Sequence, residues 1–181
     1  MILPIYAYGD PVLKKKASPI EKDHPGLKEL IANMYETMYA SHGVGLAAPQ
    51  IGLSLRLFVT DGSPFEEDEV KDFKQVFINP QIVEEAGDPW KFNEGCLSIP
   101  HVREDVSRKE TEYYDEDWNF RRELFSGLAA RIIQHEYDHI EGVLFTDRIS
   151  PLRRRLLNKR LSDISSGNVK VDYKMRFPSQ R

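Results

Sequence analysis

One cysteine in 181 residues excludes an internal disulfide framework. It fits a reducing compartment, where a lone thiol is either inert core or chemically employed. No apolar run approaches the ~20 residues that a bilayer-spanning helix needs. The opening, Met1-Ile2-Leu3-Pro4-Ile5-Tyr6, lacks a basic lead and is broken by Pro4, Gly9-Asp10 and Pro11, which argues against a signal or transit peptide. The expected location is the cytoplasm, with no role for a membrane or for DNA. Internal repeats and low-complexity segments are also missing. What remains is 40% hydrophobic and 30% charged, the balance of one globular domain with a real core over residues 1–181.

The net charge of −4 is unevenly spread. Residues 148–181 hold ten Lys/Arg against two Asp, a local +8, while the other residues hold 15 basic and 27 acidic, or −12. An acidic body with a basic tail suggests an anionic partner for the tail, against the plainer reading of a solvated face.

Residues 124–140 are apolar at a helical period, and near their middle stands Gln134-His135-Glu136-Tyr137-Asp138-His139. On a helix, His135 and His139 lie one turn apart on one face with Glu136 at its edge. This is the H-E-x-x-H arrangement, two imidazoles for a metal and a glutamate as general base. The motif is short, and an ordinary amphipathic helix with two half-buried histidines competes with it evenly. A third ligand decides. After Glu141 the chain has neither Glu nor His, and Phe145 stands where the extended protease pattern would put its third histidine. Both common metalloprotease patterns therefore fail, and the ligand must lie upstream, among Cys96, His24, His42, His101 or a carboxylate. Cys96 has a glycine beside it that leaves space, in Glu94-Gly95-Cys96-Leu97-Ser98. A lone Cys is usually a small core residue. A thiolate with two imidazoles and water in the fourth position is nevertheless a recognised open catalytic site. Leu128 and Ile132 share the face of His135 and would wall such a site.

Along the remaining chain, residues 1–22 read as an irregular, partly extended entry. Leu27, Leu30, Ile31, Met34, Tyr35 and Met38 predict a helix over 25–42, started by Pro25 and stopped by Gly43. In residues 43–52, six of ten positions are Gly, Ala or Pro, so backbone there can approach an extended peptide. Gln50 is the polar outlier, an amide able to donate to a developing oxyanion. The alternative is a tight turn packed on a helix. Short strands are expected at 55–59, 76–78 and 81–84, with a mobile acidic loop over 61–74 and a turn at Gly87-Asp88-Pro89. Residues 103–119 are polar with little strand pattern, and Ser126 is placed to cap the metal helix. Ser150-Pro151 opens a last helix whose buried stripe is expected to be Leu152, Leu156, Leu157, Leu161 and Ile164, with Arg153, Arg154, Arg155, Lys159 and Arg160 around the rest. Val169, Val171, Tyr173, Met175 and Phe177 then alternate with polar residues, the pattern of a half-buried, antiparallel-type strand.

Three segments, Gly43-Val44-Gly45-Leu46-Ala47-Ala48-Pro49-Gln50, Glu94-Gly95-Cys96-Leu97-Ser98 and Gln134-His135-Glu136-Tyr137-Asp138-His139, resemble in order and separation the three motifs of the peptide deformylase family, bacterial type. The resemblance covers nearly the whole chain, from Asp10-Pro11-Val12-Leu13 to Asp147-Arg148. It implies one catalytic domain of the α+β class, antiparallel sheets surrounding a central HExxH helix, with an N-terminal helix and a C-terminal helix followed by a strand. It implies removal of the formyl group from the N-terminal formylmethionine of nascent polypeptides, with release of formate. Cys96, His135 and His139 would hold one divalent metal, ferrous iron natively and zinc, nickel or cobalt as replacements. Glu136 would be the acid/base, with Gln50 and the Leu97 N–H as oxyanion donors. Gly45, Glu94 and Gly95 would border the peptide, Val44, Leu128, Ile132 and Phe92 the methionine pocket, and Arg103 the peptide-binding face. Two departures stand out: residues 103–114 are a few residues shorter than the family's strand, and His42 replaces a common acidic residue.

The chemistry stands without the family name. A divalent metal lowers the pKa of a water it binds to about 7. Glu136 would take the water proton and return it to the departing amine, worth roughly 10²- to 10⁴-fold. Two rivals remain: a metallopeptidase on the same helix, disfavoured by Phe145, and a ribosome- or RNA-binding module whose basic helix over 151–165 carries the function around a structural metal.

Overall fold

The structure, a computed structural model, describes residues 1–65, 67–116 and 120–178. The entry segment forms β1 (Ile5–Tyr6) and a 3₁₀ turn over Pro11–Lys14, whose first turn is capped by the Asp10 carboxylate accepting from the Val12 N–H at 3.0 Å. Helix α1 (Leu27–Ala40) starts and stops two residues inside the expected range. Its end is set by His42 rather than Gly43. His42 takes a left-handed backbone at φ 57°, its N–H meets the Tyr39 carbonyl, and the Gly43 N–H meets the Met38 carbonyl. That is a Schellman ending with histidine in the usual glycine place. Gly43 sits close against Leu97 instead, and a Cβ there, 2.8 Å from Leu97 Cδ1, would push that side chain aside.

Strands β2 (Gly45–Ala47), β3 (Leu57–Asp61) and β4 (Lys74–Ile78) form an antiparallel sheet in that order, leaving β2 at an edge. The alternation of β3 sends Leu57 and Val59 toward Met34 and Met38 of α1, and Phe58 toward Ile133 and Ile140. Burial on both faces explains its unbroken apolar run. Strands β5 (Gln81–Cys96), β6 (Ile99–Glu116) and β7 (Phe120–Phe125) form a second antiparallel sheet. Two features of this sheet differ from the expected pattern. The Gly87-Asp88-Pro89 turn is a register shift inside β5, between the Ala86↔Glu110 and Trp90↔Arg108 pairs. The polar stretch from 103 is strand as far as Glu116; backbone pairing with β5 and β7 overrides a weak side-chain pattern. Its last expected residues, 117–119, lie outside the described ones.

Helix α2 (Gly127–Ile140) packs on β2, β3 and β6. Ser126 is its N-cap residue but makes no capping bond with its side chain. The carboxylate of Glu69, from the loop expected to be mobile, accepts from the Leu128 N–H at 2.9 Å instead. Helix α3 (Pro151–Ser165) is capped as expected, Ser150 Oγ accepting from the Arg153 N–H. Leu157, Leu161 and Ile164 are buried beside Phe145 and Ile99, but Leu152 and Leu156 are 70% and 69% exposed. The stripe is thus narrower than expected: Leu152 and Leu156, one turn apart, lie on a side of α3 that faces solvent, while Leu157, Leu161 and Ile164 face the body. The terminal strand is also corrected. Residues 169–177 keep the alternation of half-buried and exposed side chains, yet only β8 (Met175–Arg176) is a strand, and it runs parallel to β1.

Candidate metal centre

The helical period brings the rings of His135 and His139 to a centroid distance of 5.1 Å at 76°. Cys96 ends β5 and turns its thiol toward them, with Sγ 3.3 Å from His139 Nε2. One donor atom from each of Cys96, His135 and His139 lies within 4.8 Å of the others. A tetrahedral cation keeps sulfur and nitrogen donors roughly 3.3–3.6 Å apart, so the residues present fit a metal with little movement. Behind them, Glu94 Oε2 accepts a hydrogen bond from His135 Nδ1–H at 2.9 Å, and Glu94 Oε1 accepts from Arg131 Nη1 at 3.0 Å. This fixes the ring so that Nε2 is the nitrogen presented to a metal. Glu94, expected on the substrate side, borders the cavity but commits its buried carboxylate to this support. Phe145 stacks on the His135 ring at 6.3 Å, packing against the site it cannot ligate.

Burial works against charge on His135, but the Cys96 sulfur, Glu94 and Glu136 outweigh it and hold its pKa well above the ordinary histidine range.

Glu136 is buried, and Gly45 of β2 makes its place: a Cβ on Gly45 would overlap Oε1 and lie 2.7 Å from Cγ and Cδ. Gln50 anchors its Oε1 on the Ala47 N–H at 2.9 Å, which aims Nε2 at Cys96 Sγ and Ser98 Oγ, each 3.5 Å away. Leu97 sits on the two-residue turn between β5 and β6. These groups open onto one cavity of about 580 Å³. Val44, Phe92, Leu128 and Ile132 give it an apolar wall. Gly95 and Arg103 pair across β5 and β6 at its rim, where Arg103 donates to Asn93 Oδ1 at 2.8 Å. Every site residue expected from the sequence except the deeply buried His139 thus borders this cavity. Sequence reasoning missed Arg131, Ser98, Phe65 and Tyr173. Arg131 carried a signal, one turn before His135 on the same face. Phe65, which meets the Phe92 ring edge-on at 6.3 Å, and Tyr173 carried none.

An α+β frame with antiparallel sheets that gathers a thiol, two imidazoles and a buried glutamate at one cavity defines a class, the enzymes with a Cys/His/His metal site. The model of the family described as polypeptide deformylase matches residues 2–155. A peptide deformylase of Christiangramia forsetii is 58% identical over all of this chain and 98% of its own length, and one from Flavobacterium johnsoniae is 57% identical over the same shares. The crystal structure of a peptide deformylase from Legionella pneumophila superposes with a TM-score of 0.81 at 37% identity, over 94% of this chain and 99% of that one. The chain belongs to the polypeptide deformylase family. It is therefore an enzyme of a metal-dependent family that removes N-formyl groups from nascent peptides.

Proposed function

We propose that residues 1–181 form one catalytic domain built around α2, which deformylates the N-terminal formylmethionine of nascent polypeptides in the cytoplasm and releases formate. The observation that carries this reading is the convergence of Cys96 Sγ, the α2 histidines and Glu136 beside an edge strand. Cys96, His135 and His139 would hold the divalent cation, ferrous iron by resemblance, with zinc, nickel or cobalt accepted by the same donors. When bound, the cation supplies Lewis acidity that brings a water's pKa toward about 7.

The chain does the rest. The outer edge of β2, which no described strand pairs with, takes the extended peptide as an added strand, and Gly95 and Arg103 border it on the far side. Val44, Phe92, Leu128 and Ile132 receive the methionine side chain. Glu136 takes the proton of the attacking water and returns it to the departing amine nitrogen, so that formate and a free amino terminus leave. Gln50 Nε2 and the Leu97 N–H donate to the oxygen of the formyl group as its charge grows. For Glu136→Gln we expect metal content unchanged and formate release from a formyl-Met peptide lowered roughly 10²- to 10⁴-fold. Release at the wild-type rate removes Glu136 from its role.

A second role, weak docking on the ribosome through α3, is supported by the exposure of Leu152 and Leu156 among its arginines. Salt-sensitive co-sedimentation that survives reversal of Arg153, Arg154 and Arg155 rejects it. Among the described residues no helix is long and apolar enough to cross a membrane.

A further inference from the structure

We propose that the segment following α3, residues 169–177, is a working part of the active site, with Tyr173 a positioning residue for the Leu97 N–H. The family model ends at residue 155, while the full-length relatives extend through this segment. Val171, Asp172 and Tyr173 border the same cavity as Cys96 and Glu136. The segment is tied down at four points. His101 Nε2 donates to the Lys170 carbonyl at 2.8 Å, and the Tyr173 hydroxyl to the Leu97 carbonyl at 2.9 Å. The Ile5 and Ala7 N–H groups donate to the Lys174 and Arg176 carbonyls at 2.8 and 2.9 Å.

The second tie is the one with consequences for chemistry. Cys96 and Ile99 pair across the end of the hairpin, leaving a turn of two residues, Leu97 and Ser98. The Ser98 carbonyl accepts from the Tyr8 N–H at 2.8 Å, and the Leu97 carbonyl from Tyr173. Both turn carbonyls are therefore held by groups outside the hairpin. The Leu97 N–H lies in the preceding Cys96–Leu97 peptide; with the Leu97 Cα held by the fixed plane that follows it and Cys96 held by its strand, both ends of that peptide are anchored and its freedom to tilt is narrowed. An oxyanion donor works only when aimed beforehand, and a small misalignment forfeits much of its effect. The Tyr173 hydroxyl supplies that aim from a part of the chain that contributes no metal ligand.

This rests on the reading of Leu97 as an oxyanion donor. The test is Tyr173→Phe in the full-length, metal-loaded enzyme, with kcat and KM for formate release, metal content and melting temperature measured on one sample. Because one complete donor is worth on the order of 10²- to 10³-fold, we expect kcat to fall roughly 5- to 20-fold, with KM within about twofold and metal content unchanged. Ile164→Val, in the core under α3, is the stability control and should lower the melting temperature without changing kcat. A Tyr173→Phe enzyme with wild-type kcat overturns the inference, as does a loss of kcat that tracks lost metal. Wild-type enzyme that releases no formate overturns the reading beneath it, and is distinguished by that single measurement.

Discussion

Helices α2 and α3 have nearly equal lengths, 14 and 15 residues, and both set polar side chains among leucines and isoleucines. They use them in opposite ways. In α2, Arg131, Gln134, Glu136, Asp138 and His139 are all buried. Polar groups withdrawn from water are costly unless other polar groups meet them. The meeting groups come from three other segments: Glu94 of β5 takes Arg131 and His135, Arg148 pairs with Asp138, and Glu69 caps the first turn. In α3 only Leu157, Leu161 and Ile164 are buried, and its arginines are exposed apart from the half-buried Arg154. Its Arg154–Asp147 pair, 2.8 Å long but partly exposed, contributes at most about 1 kcal/mol. A helix whose polar face is buried is held by its neighbours and can aim atoms, whereas a helix whose polar face is wet offers a surface.

Four substitutions break or sharpen this contrast. The largest effect is expected at Gly45→Ala, where the new methyl displaces the Glu136 carboxylate without disturbing backbone. Formate release should fall about 10²-fold or more, within the span of acid/base catalysis, while the circular dichroism melt stays put. An active variant would mean that Glu136 needs no exact seat. Leu157→Ala, on the buried side of α3, should lower stability by about 2–3 kcal/mol in denaturant titration and leave the turnover of folded enzyme alone. Glu94→Gln keeps the shape behind His135 but removes the charge, and metal affinity by chelator competition should drop roughly 10- to 100-fold. Unchanged affinity would make the buried polar face of α2 incidental to the metal. Leu156→Ala, next to Leu157 but exposed, should move stability by less than about 0.5 kcal/mol. A large shift there would show that this face of α3 is covered in solution.

Much of the site was legible because its signals are local. His135 and His139 show themselves by spacing on one helix, Cys96 by being the lone thiol beside a glycine, and Gln50 by polarity among small residues. Elements whose formation depends on a distant partner were not legible. The polar residues of β6 become strand because β5 and β7 lie on either side of them. Residues 169–177 show the period of an antiparallel strand, yet only β8 finds a partner there, parallel to β1. The stripe of α3 was overread at Leu152 and Leu156, since apolar character marks what can be buried and the neighbouring elements determine what is.

By itself the order of residues determined which atoms are available: the ligand types, the helical phase that puts two imidazoles on one face, and the apolar runs that drive burial. Those follow from side-chain chemistry and from repeats of 3.6 and 2, which act over a few residues. Only the tertiary structure decided that Gly45 clears room for Glu136, that Glu94 turns inward to hold His135, and that Tyr173 reaches the Leu97 carbonyl from 76 residues away. Each of those is a matter of space between segments remote along the chain, and no local period carries it.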